Sequence, residues 1–287
     1  MSETIHGTAN EAWLALLKFA VMGDKQVVKG KETTENLGSS IAFNMRRPLV
    51  NNKVRDMSLA FAFAEASWIL MGSNKTEFIK QYAPSYSRFS DDGIFQAGGY
   101  GPKFIDQLPY ILKNLCDDQT SRQAVMTLWR DRPYSSLDIA CTISIQWLIR
   151  RYKLHCVVNM RSSDTWLGVP YDWFTFTCMS SYVLQLLGTI DPEMLELDLG
   201  NLHFNAASQH VYAKHYDKAW NALEQPHEYA WETTDMDVWS WEHPDNFALA
   251  LAVGAEYWKN TPSFSVSCVD LSYSAEPLFK AAEIHKQ

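Results

Sequence analysis

The stretch VVNMRSSDTWLGVPYDW, residues 157–173, joins an apolar strand to a polar cluster and then to an aspartate set among aromatic side chains. Its paired valines are typical of a buried β-strand. Arg161, two serines and Asp164 follow at once, where the strand must reach the edge of a core. Polar groups in such a place need hydrogen-bond partners, which either the protein or a ligand supplies. The stretch therefore predicts a core strand with a candidate site at its end.

Composition limits the class of protein. The 287 residues are 47% hydrophobic and 20% charged, which is typical of an ordered globular chain. We expect a single domain over residues 1–287, with a tryptophan-rich C-terminal extension at about 225–287. The net charge of −8 argues against a nucleic-acid partner, because binding to a phosphate backbone needs a basic surface. A few local arginines or lysines can still hold a small anion.

The five cysteines show no spacing that is typical of a disulfide framework or a metal site, so we expect neither. The sequence also shows no signal peptide and no apolar run long enough to span a membrane. These observations predict a protein of the reducing cytoplasm with no membrane partner.

Hydrophobic periodicity predicts helices and strands in mixed order. The predicted helices cover 8–22, 56–72, 101–115, 173–188 and 208–223, and the predicted strands cover 36–45, 123–129, 141–149, 154–160 and 195–204. This order indicates an α+β fold in which helices are layered on a mixed β-sheet. Residues 84–103 are rich in Ser, Asp, Gly and Tyr, and we expect a long, functional loop there.

Cys141 starts one of the predicted strands, and a cysteine in an apolar segment is usually only a core residue. Its expected neighbour favours a second interpretation. Pairing about the turn RRYK would return Arg161 to the side of Cys141. A cation close to a thiol favours the thiolate, which is the nucleophilic form. The hairpin thus makes Cys141 a candidate nucleophile.

Several motifs follow one another in a fixed order. FAEASWILMGSNK (63–75), GGYGPKF (98–104) and SRQAVMTLW (121–129) precede Cys141, and RSSDTWLGVPYDW and HVYAKHYDKA follow it. Together they resemble the thymidylate synthase superfamily over most of residues 25–225. The resemblance implies that family's mixed sheet layered with helices, and a homodimer formed through the face of the sheet.

One departure from the family pattern bears on the substrate. The family asparagine that reads uracil is Asp172 here. Cytosine presents an amine donor at position 4 and an acceptor at N3. A carboxyl group can accept from that amine and, when protonated, donate to N3. This replacement, with Thr142 directly after the cysteine, resembles the deoxycytidylate hydroxymethylases, phage enzymes that make 5-hydroxymethyl-dCMP.

The resemblance implies transfer of a one-carbon unit from 5,10-methylenetetrahydrofolate to C5 of a cytosine nucleotide monophosphate, in a bacterial or phage-infected cytoplasm. Cys141 would add to C6, Asp172 would read the base, and Tyr100 would lie near C5. Glu65 would organise water and relay protons. Water would then complete a hydroxymethyl group, whereas thymidylate synthase delivers hydride from the folate.

The resemblance also implies a set of nucleotide-binding residues. Arg161 and Ser162 would hold the 5′-phosphate, and Arg122 would join them from the second subunit of the homodimer, because charge-assisted bonds to phosphate suit arginine. Asp164 and Gly168 would shape the base pocket and the folate side.

The sugar hydroxyls are assigned by resemblance to His210 and Tyr212, with His203 as a rival for the histidine. Lys31 or Lys29 would take the phosphate role of an N-terminal family arginine. Residues 281–287 do not match the apolar tail that closes over folate in the family, and 225–270 align with nothing in it. A looser closure would admit water.

Other interpretations stay open. The functional rivals are a CMP 5-hydroxymethylase of nucleoside-antibiotic biosynthesis, a dCMP C5-methylase, a thymidylate synthase, and a catalytically inactive nucleotide- or RNA-binding module. Single residues also have structural interpretations: an ion pair of Arg161 with Asp164, a satisfied core carboxylate at Glu65, a surface helix face for His210 and Tyr212, and a helix N-cap for Asp172.

Overall fold

The computed structural model describes residues 4–130, 135–227, 229, 232–233, 235–236, 244–260 and 268–269. It confirms the predicted α+β class, with helices layered on a mixed sheet. The tryptophans at 231, 239 and 241, which belong to the predicted tryptophan-rich extension, lie outside the described residues. So do residues 281–287.

Eight strands form the main sheet: β1 (Ile5–His6), β2 (Asp24–Val28), β3 (Lys31–Asn44), β4 (Val125–Thr127), β5 (Thr142–Arg150), β6 (Lys153–Met160), β7 (Ser163–Asp164) and β8 (Asp198–Tyr212). The order is β1-β3-β8-β6-β5-β4, with β2 on β3 and β7 on β8. β6 runs parallel to β8, whereas β3–β8, β5–β6 and β4–β5 are antiparallel. β9 (Glu232–Thr233) and β10 (Cys268–Val269) form a separate pair.

Seven α-helices lie within the described residues: α1 (Ala9–Val21), α2 (Leu59–Leu70), α3 (Thr76–Ile79), α4 (Gly101–Asp117), α5 (Val169–Ile190), α6 (Tyr216–Glu224) and α7 (Pro244–Asn260). Short 3₁₀ helices cover Pro84–Phe89, Pro192–Glu196 and Ala213–His215. Thr8 and Ser58 cap α1 and α2 by accepting from backbone N–H groups of the first turn. No described helix combines the length and the apolar composition that crossing a membrane requires.

The core lies between the inner face of the sheet and the helices α2 and α5, which are buried on almost every side. Trp147 of β5 is fully buried and donates to Ser180 Oγ of α5 at 3.0 Å. Phe63 of α2 stacks on Phe174 of α5, with ring centroids 5.2 Å apart. Glu65 therefore lies in a helix whose other residues almost all serve the core.

The predicted helix over 208–223 is wrong in its first part. Residues 208–212 continue β8, and α6 begins only at Tyr216. The strand is hidden in the sequence because one of its inward residues is polar: buried Gln209 donates to Ser163 and to Thr165 Oγ1. β3 is also longer than predicted, since it pairs with β8 as far as Tyr212.

α5 begins at Val169 rather than at 173, with Pro170 in its first turn, a position that suits proline. Asp172 therefore lies inside the first turn, and Gly168 occupies the N-cap position. The N-cap interpretation of Asp172 is wrong, and its side chain is left available for another purpose.

Candidate active site

A cavity of about 610 Å³ opens between α2, the first turn of α5 and the loop that leads into α4. Its wall includes Glu65 from α2, Asp172 from α5, Tyr100 from the loop before α4, and Cys141 from the residue before β5. The four side chains that the sequence predicts to be catalytic are far apart in the chain. The fold brings all of them into one cavity.

Arg161 lies against the thiol of Cys141, as the hairpin pairing predicts. Its Nη2 is 3.6 Å from the Cys141 Sγ, and its backbone N–H donates to the Cys141 carbonyl at 2.8 Å. The guanidinium also donates to the carbonyl oxygens of Ala140 and Ile139, each at 3.0 Å. These bonds hold the cation beside the sulfur, and within the described residues it forms no ion pair with Asp164.

The electrostatic surroundings of the thiol are mixed. Burial raises the pKa of Cys141 above its ordinary value, and the positive charge of Arg161 opposes that rise. The carboxyl groups of Asp172, Asp138 and Asp164 raise the pKa further. Burial and three acidic groups disfavour the thiolate, so its formation depends on the positive charge of Arg161.

Glu65 is a carboxyl group held by two hydroxyl donors. Tyr86 donates to its Oε1, and Thr175 donates to its Oε2 at 3.4 Å. Burial raises the pKa of Glu65 to about 6, although both hydrogen bonds act to lower it. A carboxyl group with that pKa exchanges protons readily near neutral pH, as a proton relay must.

Asp172 is the second carboxyl group of the cavity. Burial raises its pKa to about 7, and the negative charges of Glu65 and Asp164 add to the rise. Among the residues that the structure describes, no donor bonds to this carboxyl group; its backbone N–H bonds to Gly168 within the helix. A substantial fraction of the Asp172 side chains is therefore protonated at neutral pH, with hydrogen-bonding capacity that none of the described residues uses.

Tyr100 and Thr142 form a hydroxyl pair next to the cysteine. The Tyr100 hydroxyl lies 2.8 Å from Thr142 Oγ1. Burial raises the pKa of Tyr100 well above its ordinary value, with Asp172 and Cys141 adding to the rise. Tyr100 thus stays a neutral hydroxyl, able to donate or accept a hydrogen bond.

Asp164, Ser162 and Gly168 also line the cavity. The Asp164 carboxylate accepts from the backbone N–H groups of Trp166 and Leu167, both at 2.9 Å, so it shapes the turn into α5. A Cβ at Gly168 would lie 3.1 Å from Asp172 Oδ2. Glycine therefore preserves the space around the Asp172 carboxyl group.

The predicted sugar residues lie on β8 and not on a helix face, which excludes that structural interpretation. The rings of His210 and Tyr212 are 5.2 Å apart, and His210 is level with Asp164 in the β7–β8 pairing. Burial lowers the pKa of His210, while the charge of Asp164 opposes the change. The rival His203 lies further back on β8, level with Val157 of β6.

The predicted phosphate-binding lysines lie on the β2–β3 hairpin. Lys31 Nζ is 5.5 Å from the centroid of the Tyr212 ring, whereas Lys29 lies in the turn at a φ of +49°. Neither lysine borders the cavity as the described residues define it. The structure therefore places Lys31 next to one predicted sugar residue without bringing it to the cavity.

Arg122 is not brought to the cavity of its own chain. It precedes β4, and its carbonyl oxygen accepts from Gln146 Nε2 of β5 at 2.8 Å. Gln146 lies well along the strand whose first end carries Cys141. At about 3.3 Å per residue, the five residues from Cys141 to Gln146 span roughly 15 Å.

Sequence reasoning missed most residues of the cavity wall, among them Tyr86, Asp138 and Arg88. Tyr86 lies in the predicted loop, which is partly a 3₁₀ helix, and no periodicity there shows which aromatic ring points inward. Asp138 accepts from the Gly98 N–H at 2.7 Å and so ties the loop before α4 to the segment that leads to Cys141. Its closeness to Cys141 in the sequence was the only available signal.

The chain is similar to known proteins over most of its length. A family model described as thymidylate synthase matches residues 21–243. This match includes every predicted catalytic and substrate-binding residue and ends just before α7.

Individual relatives carry the same name. A thymidylate synthase from Bacillus mojavensis is 27% identical over 213 residues, which cover 65% of this chain and 73% of that protein. Thymidylate synthase 1 from Bacillus spizizenii is 26% identical over 212 residues, with the same coverage of 65% and 73%. The thymidylate synthase of Bacillus phage phi3T is also 26% identical over 212 residues.

Proposed function

This chain belongs to the thymidylate synthase family, and we propose that it transfers a one-carbon unit to C5 of dCMP, with water completing 5-hydroxymethyl-dCMP. The observation that carries the substrate assignment is Asp172. Its carboxyl group faces the cavity, lacks a donor among the described residues, and has a pKa raised to about 7. A protonated carboxyl group can accept from the cytosine amine and donate to N3 at once. Uracil presents the reverse pattern, an acceptor at position 4 and a donor at N3, so it would need the proton on the other carboxyl oxygen.

The family uses 5,10-methylenetetrahydrofolate as its cosubstrate. The residues present fit such a group, because the cavity of about 610 Å³ lies within the range of small-molecule sites. Its wall carries the aromatic side chains of Trp68, Tyr86, Phe89 and Tyr171, which suit stacking with flat rings. The folate would supply the one-carbon unit that is transferred.

Cys141 begins the reaction as a thiolate by adding to C6 of the ring. The addition moves an electron pair to C5, which becomes nucleophilic toward the one-carbon unit. Arg161 stabilises the thiolate before it adds, because its guanidinium lies 3.6 Å from the sulfur. C5 would then form a bond to the one-carbon unit that the folate supplies. Loss of the C5 proton to a base of the cavity would break the bond between that carbon and the folate nitrogen, so that tetrahydrofolate leaves and a methylene group remains on C5.

Glu65 acts as the base when water adds to the methylene group on C5. Its carboxylate takes a proton from the water that adds to the methylene carbon, and the electron pair returns to the ring and expels Cys141 from C6. A pKa of about 6 leaves Glu65 mostly ionised at neutral pH and ready to accept that proton. Tyr100 lies within electrostatic reach of both Cys141 and Asp172, which suits a hydroxyl near C5.

The remaining residues would bind the nucleotide. Arg161 and Ser162 would hold the 5′-phosphate, His210 and Tyr212 the sugar hydroxyls. In this proposal the enzyme is a homodimer, typical of the family, and Arg122 reaches the phosphate site of the partner subunit. Asp164 and Gly168 shape the base pocket, and Lys31 adds positive charge near Tyr212.

The test is an incubation with methylenetetrahydrofolate and each of dCMP, CMP and dUMP, with the products identified by mass. We expect dCMP to gain a hydroxymethyl group while tetrahydrofolate is released. A methyl gain with release of dihydrofolate would refute the water step and keep the substrate. Turnover of CMP in place of dCMP would refute the deoxyribose assignment. Turnover of dUMP alone would overturn the role of Asp172.

A further inference from the structure

Tyr86 bonds to only one of two neighbouring carboxyl groups of the cavity, to Glu65 and not to Asp172. Its hydroxyl donates to Glu65 Oε1 from the 3₁₀ helix Pro84–Phe89, and Thr175 adds a longer bond of 3.4 Å to Oε2. Asp172 receives no such bond from any described residue. A hydrogen bond donated to a carboxylate stabilises its ionised form. The bonding pattern therefore favours charge on Glu65 and a proton on Asp172.

Tyr86 is itself fixed in place. Gln96 Nε2 donates to its carbonyl oxygen at 3.0 Å, and its ring packs edge-on against Trp68 at 6.5 Å between centroids. Phe61 also packs against the Tyr86 ring, with ring centroids 5.4 Å apart. Burial and the charge of Glu65 raise the pKa of Tyr86 well above its ordinary value, so its hydroxyl remains a donor.

We infer that Tyr86 is a positioning residue whose hydroxyl holds Glu65 ionised and thereby keeps the proton of the Glu65–Asp172 pair on Asp172. The two carboxylates repel each other when both are ionised. Holding Glu65 in its ionised form therefore favours a proton on Asp172. On the proposed function, this division prepares both steps: Asp172 can donate to cytosine N3, and Glu65 can accept a proton from water.

Of the other ionisable groups near the pair, Asp164 also favours a proton on Asp172, but none of them bonds to Glu65. These groups are Tyr100, Cys141 and Asp164 near Asp172, Asp138 and Arg161 near Cys141, Arg88 at the cavity wall, and Glu256 and Lys259 of α7 near Tyr82. Asp164 raises the pKa of Asp172 in the same direction but does not bond to Glu65. The Arg161 guanidinium is engaged by carbonyl oxygens and the thiol. Tyr86 and Thr175 are the described groups that donate directly to Glu65.

The test follows both carboxyl groups by NMR in carboxyl-labelled protein, without substrate, in the wild type and in Tyr86→Phe. Losing a bond to an ionised group corresponds to about one pKa unit or more. We expect the pKa of Glu65 to rise by about that much and the pKa of Asp172 to fall, which reverses their order. Unchanged values for both groups would overturn the inference.

Tyr82→Phe is the matched control. Tyr82 lies on the same cavity wall, but its hydroxyl bonds to Glu256 of α7 and not to Glu65. We expect this variant to leave both carboxyl pKa values in place. Thr175→Val, which removes the longer bond, should shift them in the same direction as Tyr86→Phe and by less. A shift in the Tyr82 variant as large as that in the Tyr86 variant would contradict the inference.

A second arm separates this inference from the proposed function. In the wild type, dCMP affinity should fall as pH rises through about 7, because Asp172 loses the proton that it donates to N3. In Tyr86→Phe that fall should move to lower pH. If the wild type binds no dCMP at any pH, the proposed function fails while the NMR arm still decides the proton division. If dCMP binds but its affinity falls at the same pH in Tyr86→Phe as in the wild type, the inference fails and the proposed function stands.

Discussion

At the scale of single residues, the proposed role of Asp172 depends both on the residue type that the sequence gives and on its surroundings in the fold. The sequence shows an aspartate where the family pattern has an asparagine, but an exposed aspartate would stay ionised and could not donate to a base. Burial in the cavity and the nearby charges of Glu65 and Asp164 raise its pKa to about 7. The chemical identity of the residue and its burial are therefore both needed for the proposed reading of cytosine.

Asp172→Asn tests that reading. An amide restores the donor and acceptor pattern that suits uracil, so we expect kcat/KM for dCMP to fall about 100-fold or more and turnover of dUMP to appear. Steady-state kinetics on both nucleotides measure the change. Asp106→Asn, on the exposed side of α4, is the matched control and should leave both values unchanged. A variant that keeps full dCMP activity would contradict the assignment.

The reactivity of Cys141 gives a second prediction at this scale. Arg161 opposes the rise in the Cys141 pKa, so Arg161→Gln should raise that pKa further and move the alkylation profile to higher pH. At pH 8 the rate with iodoacetamide should fall by roughly three- to tenfold, because less thiolate is present. Peptide mass spectrometry measures the rate at each cysteine.

Half-buried Cys116 is the internal reference for that experiment, and its rate should not change. Arg150→Gln is the matched variant, since Arg150 bonds to the carbonyl oxygens of Ile149 and Thr120, away from the thiol. Faster alkylation of Cys141 in Arg161→Gln would show that the arginine acts mainly by covering the sulfur.

At the scale of elements, α7 follows directly after residue 243, where the match to the family model ends. It packs along α2, the helix that carries Glu65, and its Glu256 bonds to Tyr82 of the cavity wall. Gly254 permits this close packing, since a Cβ there would lie 2.8 Å from Phe63 Cδ1. The C-terminal segment thus supports one wall of the cavity.

Gly254→Ala should push α7 away from α2 and destabilise the fold by about 1–3 kcal/mol, despite the higher helix propensity of alanine. Urea denaturation measures the free energy of unfolding. Phe63→Leu should recover part of the loss when it is combined with Gly254→Ala, because the smaller side chain relieves the contact. Strict additivity of the two changes would contradict the close approach.

At the scale of the whole molecule, the two faces of the sheet differ. The inner face meets α2 and α5, whereas the opposite face carries polar side chains such as Asn159, which bonds to Ser144 Oγ at 3.1 Å and accepts from Asn205 at 3.2 Å. Arg122 lies far along the sheet from its own Cys141. We therefore assign the proposed phosphate contact of Arg122 to the site of a second subunit.

Subunit complementation tests that arrangement. Cys141→Ser and Arg122→Ala should each reduce activity strongly as homodimers. Mixing them under conditions of subunit exchange should restore about a quarter of the wild-type activity, because half of the dimers are mixed and one of their two sites is complete. No recovery in mixed dimers, verified by native mass spectrometry, would place Arg122 outside the partner's site.

The sequence by itself determined the α+β class, the hairpin that brings Arg161 to Cys141, and, through its motifs and the family that they resemble, seven residues of the cavity wall. These follow from local periodicity and from short motifs, which are readable without knowing distant contacts. It missed the continuation of β8 through residues 208–212, because buried Gln209 is satisfied by Ser163 and Thr165 and so breaks the apolar alternation. Only the tertiary structure decided that Tyr86 bonds to Glu65 and that no residue in the described part of the chain donates to the Asp172 carboxyl group. Hydrogen bonding and burial between distant segments, and the pKa values that depend on them, are properties of the packed chain and leave no periodic mark in its sequence.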